Sequence, residues 1–326
     1  MGESGFGFFL LPLILLSQRI LFLEIWGVDW CAMWLLYALL MVLGWSLAIV
    51  FDSLLVRHYE KNPFILMWTQ SCFSMLFLVY LSPLVVLEPA WMPLLAVGAV
   101  IAYFGDLVFF LAIDRMDASV FNIAWAILAV LLGIAGFFLF GESWTLTQAL
   151  AALCILAGII ILSYWHRHIT PAAFGLLVLL AFLYAPGNVV QKMALKGGVP
   201  LLTMMFWFLL FRECTSFTFH WCMPRFRRLM AHFIVKVDFT FVWITGFVVA
   251  TYFLGVFFAA HAFAAGPISL IAVVGNVQPF LVLFLAWVLF RIAPLYASRE
   301  LLDWQSVRVK LVSFCVVFVG MMLLAV

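Results

Sequence analysis

One pattern of apolar segments occurs twice in this sequence, about 150 residues apart. In each copy, a long apolar segment is followed by a tight polar or Gly/Pro turn and then by further apolar segments. Duplicated hydrophobic segments are typical of secondary carriers, which hold their substrate between two halves near the middle of the bilayer. The duplication therefore indicates a membrane protein built from repeats. The first copy contains Tyr103-Phe104, Asp117-Ala118-Ser119 and Phe140-Gly141-Glu142, and the second contains Tyr252-Phe253, Gly266-Pro267-Ile268-Ser269 and Leu289-Phe290.

The composition supports a membrane environment. Of the 326 residues, 68% are hydrophobic and only 9% are charged, whereas roughly 25% of a soluble domain is charged. A chain with so few polar residues cannot cover its apolar surface, so the lipid bilayer must be its solvent. No basic face of useful size exists, which argues against nucleic-acid binding. The six cysteines form no CxxC pair, so neither a metal site nor a disulfide is expected.

The apolar runs are long enough to cross a membrane several times. A spanning helix needs about 20 mainly apolar residues. Five such segments fall in each half of the sequence, and because five is odd, the second half must enter the membrane from the opposite side. We therefore predict an all-α integral membrane fold of two inverted five-helix repeats, at 33–165 and 171–326. The ten predicted segments are 33–56, 63–87, 91–113, 118–140, 146–165, 171–191, 199–222, 240–264, 267–290 and 307–325.

The N-terminal extension, residues 1–32, fits this division less well. Its apolar run at 6–16 is too short to span, and Gln18, Arg19 and Glu24 interrupt the continuation. It is interpreted as an interfacial helix, an extra span, or sequence upstream of a later start such as Met33. A cleaved signal peptide is disfavoured, because no basic region precedes the apolar run.

The basic residues predict an orientation. Twelve of the 16 Lys and Arg fall in the loops that follow the odd-numbered segments. Since cytoplasmic loops carry an excess of Lys and Arg, these loops are expected in the cytoplasm, with residue 33 on the opposite side.

A stretch at the end of the first half resembles the signature of EamA-type transporters of the drug/metabolite transporter superfamily. The halves of that family typically close with GE-x-x-T-x-x-Q followed by Gly. In the second half, Gly266-Pro267-Ile268-Ser269 and Pro279 are similar, but Phe290-Arg291 replaces Gly-Glu. The sixth segment, with Tyr184 and Gln191-Lys192, resembles the aromatic-then-lysine ending of such proteins. The matching stretch reads Ala118-Ser119, then Phe140-Gly141-Glu142-Ser143-Trp144-Thr145-Leu146-Thr147-Gln148, then Gly158.

The resemblance covers residues 33–326 and implies a ten-helix carrier in the cell (inner or plasma) membrane. It also implies frequent export of amino acids or other small metabolites, and cytoplasmic termini. The last point conflicts with the distribution of Lys and Arg, so the orientation stays open. The Gly141-Glu142 turn itself is interpreted as structural, with Glu142 to Thr145 forming the polar start of the fifth helix.

Charged residues inside the predicted spans are the first candidates for a substrate pathway, because each costs roughly 2.5–3.5 kcal/mol at a helix centre. These are Arg212 and Glu213 in the seventh segment, Asp106 in the third and His261 in the eighth. Arg212 is expected to bind an anionic group such as a substrate carboxylate, and Asp106 or Glu213 to couple protons. The alternatives are a closed Arg212–Asp106 or Arg212–Glu213 pair that locks helices together, and an arginine that snorkels to the interface.

A second set of candidates is polar but mostly uncharged. Asn188 and Lys192 follow Pro186-Gly187, which frees backbone carbonyls and is tolerated where a helix lines a cavity or packs tightly. Asp52 and Lys192 fall at roughly equivalent ends of their repeats. In one interpretation each serves a gate on one side of the membrane, and in the other both are helix-end charges at the interface. The remaining candidates are Asn122, Gln70, Asn276 and Gln278.

These observations predict a secondary transporter, with export probable, that moves small polar metabolites such as amino acids by alternating access. Substrate or proton gradients would drive it, and a monomer or homodimer would act without cofactor or metal. One alternative is a flippase or carrier for lipid-linked or nucleotide-linked sugars, and another is a non-transporting membrane scaffold. Enzyme activity is not expected: Phe104-Gly105-Asp106 lacks the first glycine of intramembrane aspartyl proteases, and no Tyr-Asp partner motif exists.

Overall fold

The fold is all-α over the residues that the computed structural model describes, which are 30–60, 62–113, 118–165, 171–234, 237–292 and 304–324. A 3₁₀ turn at Ser82–Leu84 follows the second helix. The prediction for 1–32 concerns residues that lie outside these ranges, apart from the first turn of the first helix. Twelve α-helices occur in the described ranges: α1 (Trp30–His58), α2 (Pro63–Leu81), α3 (Met92–Ile113), α4 (Ala118–Phe140), α5 (Leu146–Trp165), α6 (Pro171–Lys196), α7 (Leu201–Trp221), α8 (Pro224–Ile234), α9 (Phe239–Ala265), α10 (Ile268–Gly275), α11 (Gln278–Ile292) and α12 (Trp304–Leu324).

Several of these helices can cross a bilayer, which makes the chain a multi-pass membrane protein. α4 and α5 contain shorter apolar stretches, Ala124–Phe140 and Leu146–Gly158. α7 and α12 have 21 residues each, which is enough by length for the hydrocarbon core. Among the described residues, six stretches are both long and apolar enough to span: Met33–Val56, Pro63–Leu84, Met92–Ala112, Phe174–Lys196, Phe239–Ala265 and Ile268–Leu289.

The ninth predicted segment is two helices rather than one. α10 ends at Gly275, the residues Asn276-Val277 form a turn, and α11 begins at Gln278. Pro279 has no N–H with which to reach the carbonyl of Gly275, so a continuous helix would lose a hydrogen bond there. The expected single helix is corrected to a helix broken near its middle.

The helix α8 was not predicted, because its apolar residues are too few for a span. Phe226, Met230 and Phe233 are buried against the bundle, while Arg227 and Arg228 are exposed. This separation of apolar and basic faces is typical of a helix that lies along the membrane surface. Pro224 stands at its first position, where the missing N–H costs nothing.

Most of the packing joins the first half of the chain to the second. α1 packs chiefly on α9, α3 on α6 and α7, α4 on α10 and α6, and α5 on α12. A Cβ atom on Gly44 would lie 2.8 Å from the backbone nitrogen of Gly255 and 2.9 Å from its Cα, so α1 and α9 are in backbone contact. Small residues are the usual means by which membrane helices approach this closely.

Candidate functional site

A cavity of about 210 Å³ lies inside the helix bundle, with walls from both halves of the chain. Residues of α1, α2, α3 and α4 form part of its wall, and residues of α6, α7, α9, α10 and the start of α11 form the rest. Most of the wall is apolar or aromatic, with a few polar and charged side chains among them. This is the usual character of a small-molecule site.

A charged cluster around Arg212 occupies one part of this wall. The Nε of Arg212 donates to Glu213 Oε1 at 3.2 Å, and Nη2 donates to the same oxygen. Nη1 donates to the hydroxyl of Tyr252, whose ring centre is 4.6 Å from the guanidinium carbon. Asp106 Oδ2 lies 3.6 Å from Nη1, and the hydroxyl of Tyr184 donates to Asp106 Oδ1 at 2.7 Å. The cluster therefore holds its only cation in a closed hydrogen-bond network.

This arrangement combines the two interpretations that the sequence left open. Arg212, Glu213 and Asp106 all line the cavity, as expected of pathway residues, yet Arg212 and Glu213 also form the closed ion pair. Glu213 is 3% exposed and Arg212 is 9% exposed, so the pair is almost fully withdrawn from the surface.

Asp52 lies elsewhere on the wall, in a different setting. Its carboxylate accepts a hydrogen bond from the side-chain amide of Gln70 at 2.6 Å, and the residue is buried. Within the described ranges, Asp52 takes part in no ion pair. An amide supplies a hydrogen bond but no compensating charge, so Asp52 is an acidic group without a described cation.

Two buried polar atoms of wall residues have no hydrogen-bond partner among the residues that the structure describes. They are the indole Nε1 of Trp45 and the hydroxyl oxygen of Tyr103. A buried polar group without a partner costs free energy. Both atoms are themselves buried, although other atoms of the two residues line the cavity.

The other predicted pathway residues divide into two groups. Asn188 and Gln278 line the cavity, and the Asn188 amide also donates to the Tyr184 carbonyl at 3.2 Å. Lys192, His261 and Asn276 are not part of the wall. Asn122 lies in the first turns of α4, and its side chain is outside the described part of the structure.

The residues outside the wall have their described contacts elsewhere, and their role in a substrate pathway stays a prediction. His261 packs its ring 4.4 Å from that of Phe257 and bonds its own helix through Nδ1. Asn276 is fully buried and donates to the Ala272 carbonyl of α10. Position along a helix determines how deep a side chain lies, but not which way it faces. Depth alone therefore does not determine whether a residue lines the cavity.

Lys192 and Glu142 instead hold the connection between α9 and α10, at one end of the bundle. Lys192 Nζ donates at 2.5 Å to the carbonyls of Phe263 and Gly266. The Glu142 carboxylate accepts from the Ile268 amide at 2.7 Å, and from the Ser269 amide and hydroxyl at 3.1 and 2.5 Å. A cation thus meets the negative end of α9 and an anion meets the positive end of α10. We refer to these contacts of Glu142 and Lys192 with residues 263–269 as the 263–269 clamp.

The clamp corrects the expected role of the Gly141-Glu142 turn. Thr145 and Gln148 cap α5 by themselves, since each side chain accepts a hydrogen bond from the other's backbone amide. Gly141 has a φ of 66°, a conformation that suits glycine, and the chain reverses there. Glu142 consequently reaches across to the second half rather than serving the helix that follows it.

Two wall residues that were not proposed had a usable signal in the sequence. Tyr103 and Tyr252 are the first residues of the two copies of the repeated pattern, and both line the cavity. Tyrosine is common in apolar segments, where its burial costs little free energy. A search for costly buried charges therefore does not select it. Trp125, Ser71 and Ser216 were also not proposed; the two serines, which line the cavity, hydrogen-bond each other at 2.9 Å.

Comparison with known proteins agrees with the sequence for the first half of the chain. Residues 32–164 match the EamA-like transporter family, which confirms the predicted resemblance over that range. A crystal structure described only as that of a protein has a similar fold, with a TM-score of 0.61 and 18% identity over 89% of this chain and 96% of the other. No curated protein matches the chain.

Proposed function

We propose that the chain is a secondary transporter that moves a small polar solute through the central cavity by alternating access. The observation that carries the proposal is the cavity, because both halves build its wall and because the wall holds charged groups. Carriers bind their substrate in such a place, between the two halves. The family that residues 32–164 match is one of transporters. The direction is taken to be export across the cell membrane, driven by substrate or proton gradients.

The halves are proposed to be two inverted five-helix repeats, 33–165 and 171–326. Under this correspondence α1 pairs with α6, α2 with α7, α3 with α9, α4 with α10–α11, and α5 with α12. If each helix is replaced by its counterpart in the other half, the α1–α9 contact becomes the α6–α3 contact. Both are among the main contacts of the bundle. The α5–α12 contact maps onto itself, with close approaches at Gly158 and Gly320. This exchange of partners supports the repeat.

The 263–269 clamp is proposed to close one end of the cavity in the state described here. Glu142 belongs to the first repeat, Lys192 to the second, and the clamped residues lie between α9 and α10. Opening of this end would require these charge-assisted contacts to separate. An alternating-access carrier needs such a reversible contact on each side of its site.

The wall composition favours a small solute over the alternatives. A carrier of nucleotide-linked or lipid-linked sugars would be expected to have a wider, basic cavity, whereas the described wall of this cavity has one arginine and three acidic residues. A scaffold would be expected to pair all its internal charges, whereas Asp52 has no described cation.

Transport is tested with the purified protein in proteoliposomes, by exchange of radiolabelled solutes from a panel of amino acids, amines and sugars. Saturable exchange that is lost in a cavity variant such as Asp106→Asn supports the proposal. Retention of full flux by that variant, or no flux of any solute, contradicts it.

The orientation has a separate test at Cys222, which is exposed at the end of α7. In a variant that keeps only this cysteine, a membrane-impermeant thiol reagent applied to intact cells should leave it unlabelled if the Lys/Arg distribution sets the topology. Labelling from outside would establish the orientation usual for the family.

A further inference from the structure

We infer that the cavity binds a small organic cation, an amine joined to an apolar or aromatic group, and that the Asp52 carboxylate is its counter-ion. This inference rests on the proposed function, because it names the class of solute for the same cavity. It also reverses the sequence-based expectation that Arg212 binds an anion.

The charged groups of the wall are unequal in number. Three acidic residues, Asp52, Asp106 and Glu213, face one basic residue, Arg212, and the described wall contains no lysine or histidine. In a low-dielectric interior, like charges repel and opposite charges attract much more strongly than in water. An entering anion would meet a surplus of acidic groups, and an entering cation would compensate them.

The single basic residue is also unavailable. Arg212 directs Nε and Nη2 to Glu213 and Nη1 to Tyr252. A carboxylate or phosphate could reach the guanidinium only by displacing these partners, which would leave Glu213 buried without its cation. Arg212, which the sequence suggests as a receptor for an anion, is therefore already paired with Glu213.

Asp52 has the opposite character. The described hydrogen bond to its carboxylate comes from the neutral Gln70 amide at 2.6 Å. A carboxylate can accept about four hydrogen bonds, so acceptor capacity remains for an ammonium group. Trp45 precedes Asp52 by two helical turns on α1, and both line the cavity, as residues at this spacing share a helix face.

The aromatic residues of the wall refine the class of cation. Trp45 and Trp125 line the cavity, and an organic cation or an aromatic ring can stack on such rings. An amine joined to an aromatic group suits this lining.

The first experiment uses tyramine and 4-hydroxyphenylacetate, which share the ring and hydroxyl but carry opposite charges. Binding to the purified full-length protein in nanodiscs is followed at neutral pH by quenching of tryptophan fluorescence and by the shift in Tm. We expect tyramine to bind at least tenfold more tightly than the anion. Equal affinity, tighter binding of the anion, or binding of neither overturns the inference without the need for any variant.

The second experiment locates the counter-ion. Asp52→Asn should weaken tyramine binding at least tenfold. The matched control is Asp238→Asn, which removes an acidic group at the exposed N-cap of α9, where asparagine caps equally well; it should change affinity less than twofold. An Asp52→Asn protein that folds and keeps wild-type affinity for tyramine overturns the assignment.

A paired variant then excludes Arg212 as the receptor. Arg212→Gln combined with Glu213→Gln removes the ion pair without changing the net charge of the wall. The preference for tyramine over 4-hydroxyphenylacetate should stay at tenfold or more. Loss of this preference overturns the inference, because the preference would then depend on the pair rather than on Asp52.

Failure of the inference and failure of the proposed function give different results. Tyramine binding without tyramine exchange in proteoliposomes supports the cation site and contradicts transport. Exchange of zwitterionic amino acids without preference for amines supports transport and overturns the cation site.

Discussion

Glu213 and Asp52 are buried acidic residues of the same cavity, yet their carboxylates have different partners. Glu213 is neutralised by an adjacent guanidinium, which is itself held by Tyr252. Asp52 receives one hydrogen bond from an uncharged amide. Burial of a carboxylate is costly unless a cation compensates it, so the first arrangement stabilises the fold and the second leaves a charge for a ligand to compensate. Four substitutions test this difference.

Arg212→Ala should have the largest effect on stability. It leaves Glu213, which is 3% exposed, without its cation, and removal of one partner of a buried pair costs about 3–5 kcal/mol. The yield of monodisperse protein and its Tm should fall sharply. Addition of Glu213→Gln should restore most of the loss, and a single variant with wild-type Tm would show that the pair is not a structural element.

Glu142→Ala extends the comparison to an acidic residue that is compensated by a helix terminus. Loss of the carboxylate removes the hydrogen bonds to Ile268 and Ser269, and loss of such a cap costs about 0.5–2 kcal/mol. Tm should fall by less than in Arg212→Ala. A cysteine placed in 263–269 should also react faster with thiol reagents, and an unchanged rate would contradict the clamp.

Tyr252→Phe should have a smaller effect. It deletes the hydroxyl that accepts from Arg212 while the ring and the Glu213 partner remain. Hydrogen bonds between membrane helices are worth about 0.6 kcal/mol on average, so a decrease in Tm of a degree or two is expected. A decrease as large as that of Arg212→Ala would mean that Tyr252, rather than Glu213, holds the guanidinium.

Asp52→Asn should have the smallest effect on stability. The substitution removes a buried charge that has no described cation, and the asparagine oxygen can still accept from Gln70. The free energy of unfolding should stay within about 1 kcal/mol of wild type, and Tm should be unchanged or slightly higher. A loss comparable to that of Arg212→Ala would show that Asp52 has a stabilising partner and is not a free counter-ion.

The sequence predicted the positions of most helices because apolar length determines where a chain can span. It missed the break at Asn276-Val277, since hydropathy is continuous across it, although Pro279 was a local signal. It also missed α8, whose apolar face is too short for a span. Both irregularities are consequences of side-chain pattern rather than of mean hydropathy.

The site was predictable in part for a similar reason. Arg212 and Asp106 were found because charges in lipid are expensive, and Asp52 was found because the repeat relates it to Lys192. The cavity wall contains all three. Their pairing was not predictable, because it depends on which helices meet in space. For example, Lys192 lies on the same helix as the wall residue Asn188 but reaches the end of α9.

The backbone contact between Gly44 and Gly255 has a consequence for how the protein is made. The closest neighbour of α1 is more than two hundred residues further along the chain, and the other first-half helices also pack mainly on the second half. Because domains form in the order of synthesis, α1 must enter the membrane long before its partner leaves the ribosome. The core is therefore completed only when α9 arrives, and a chain divided at 166–170 would yield two fragments that need each other to fold.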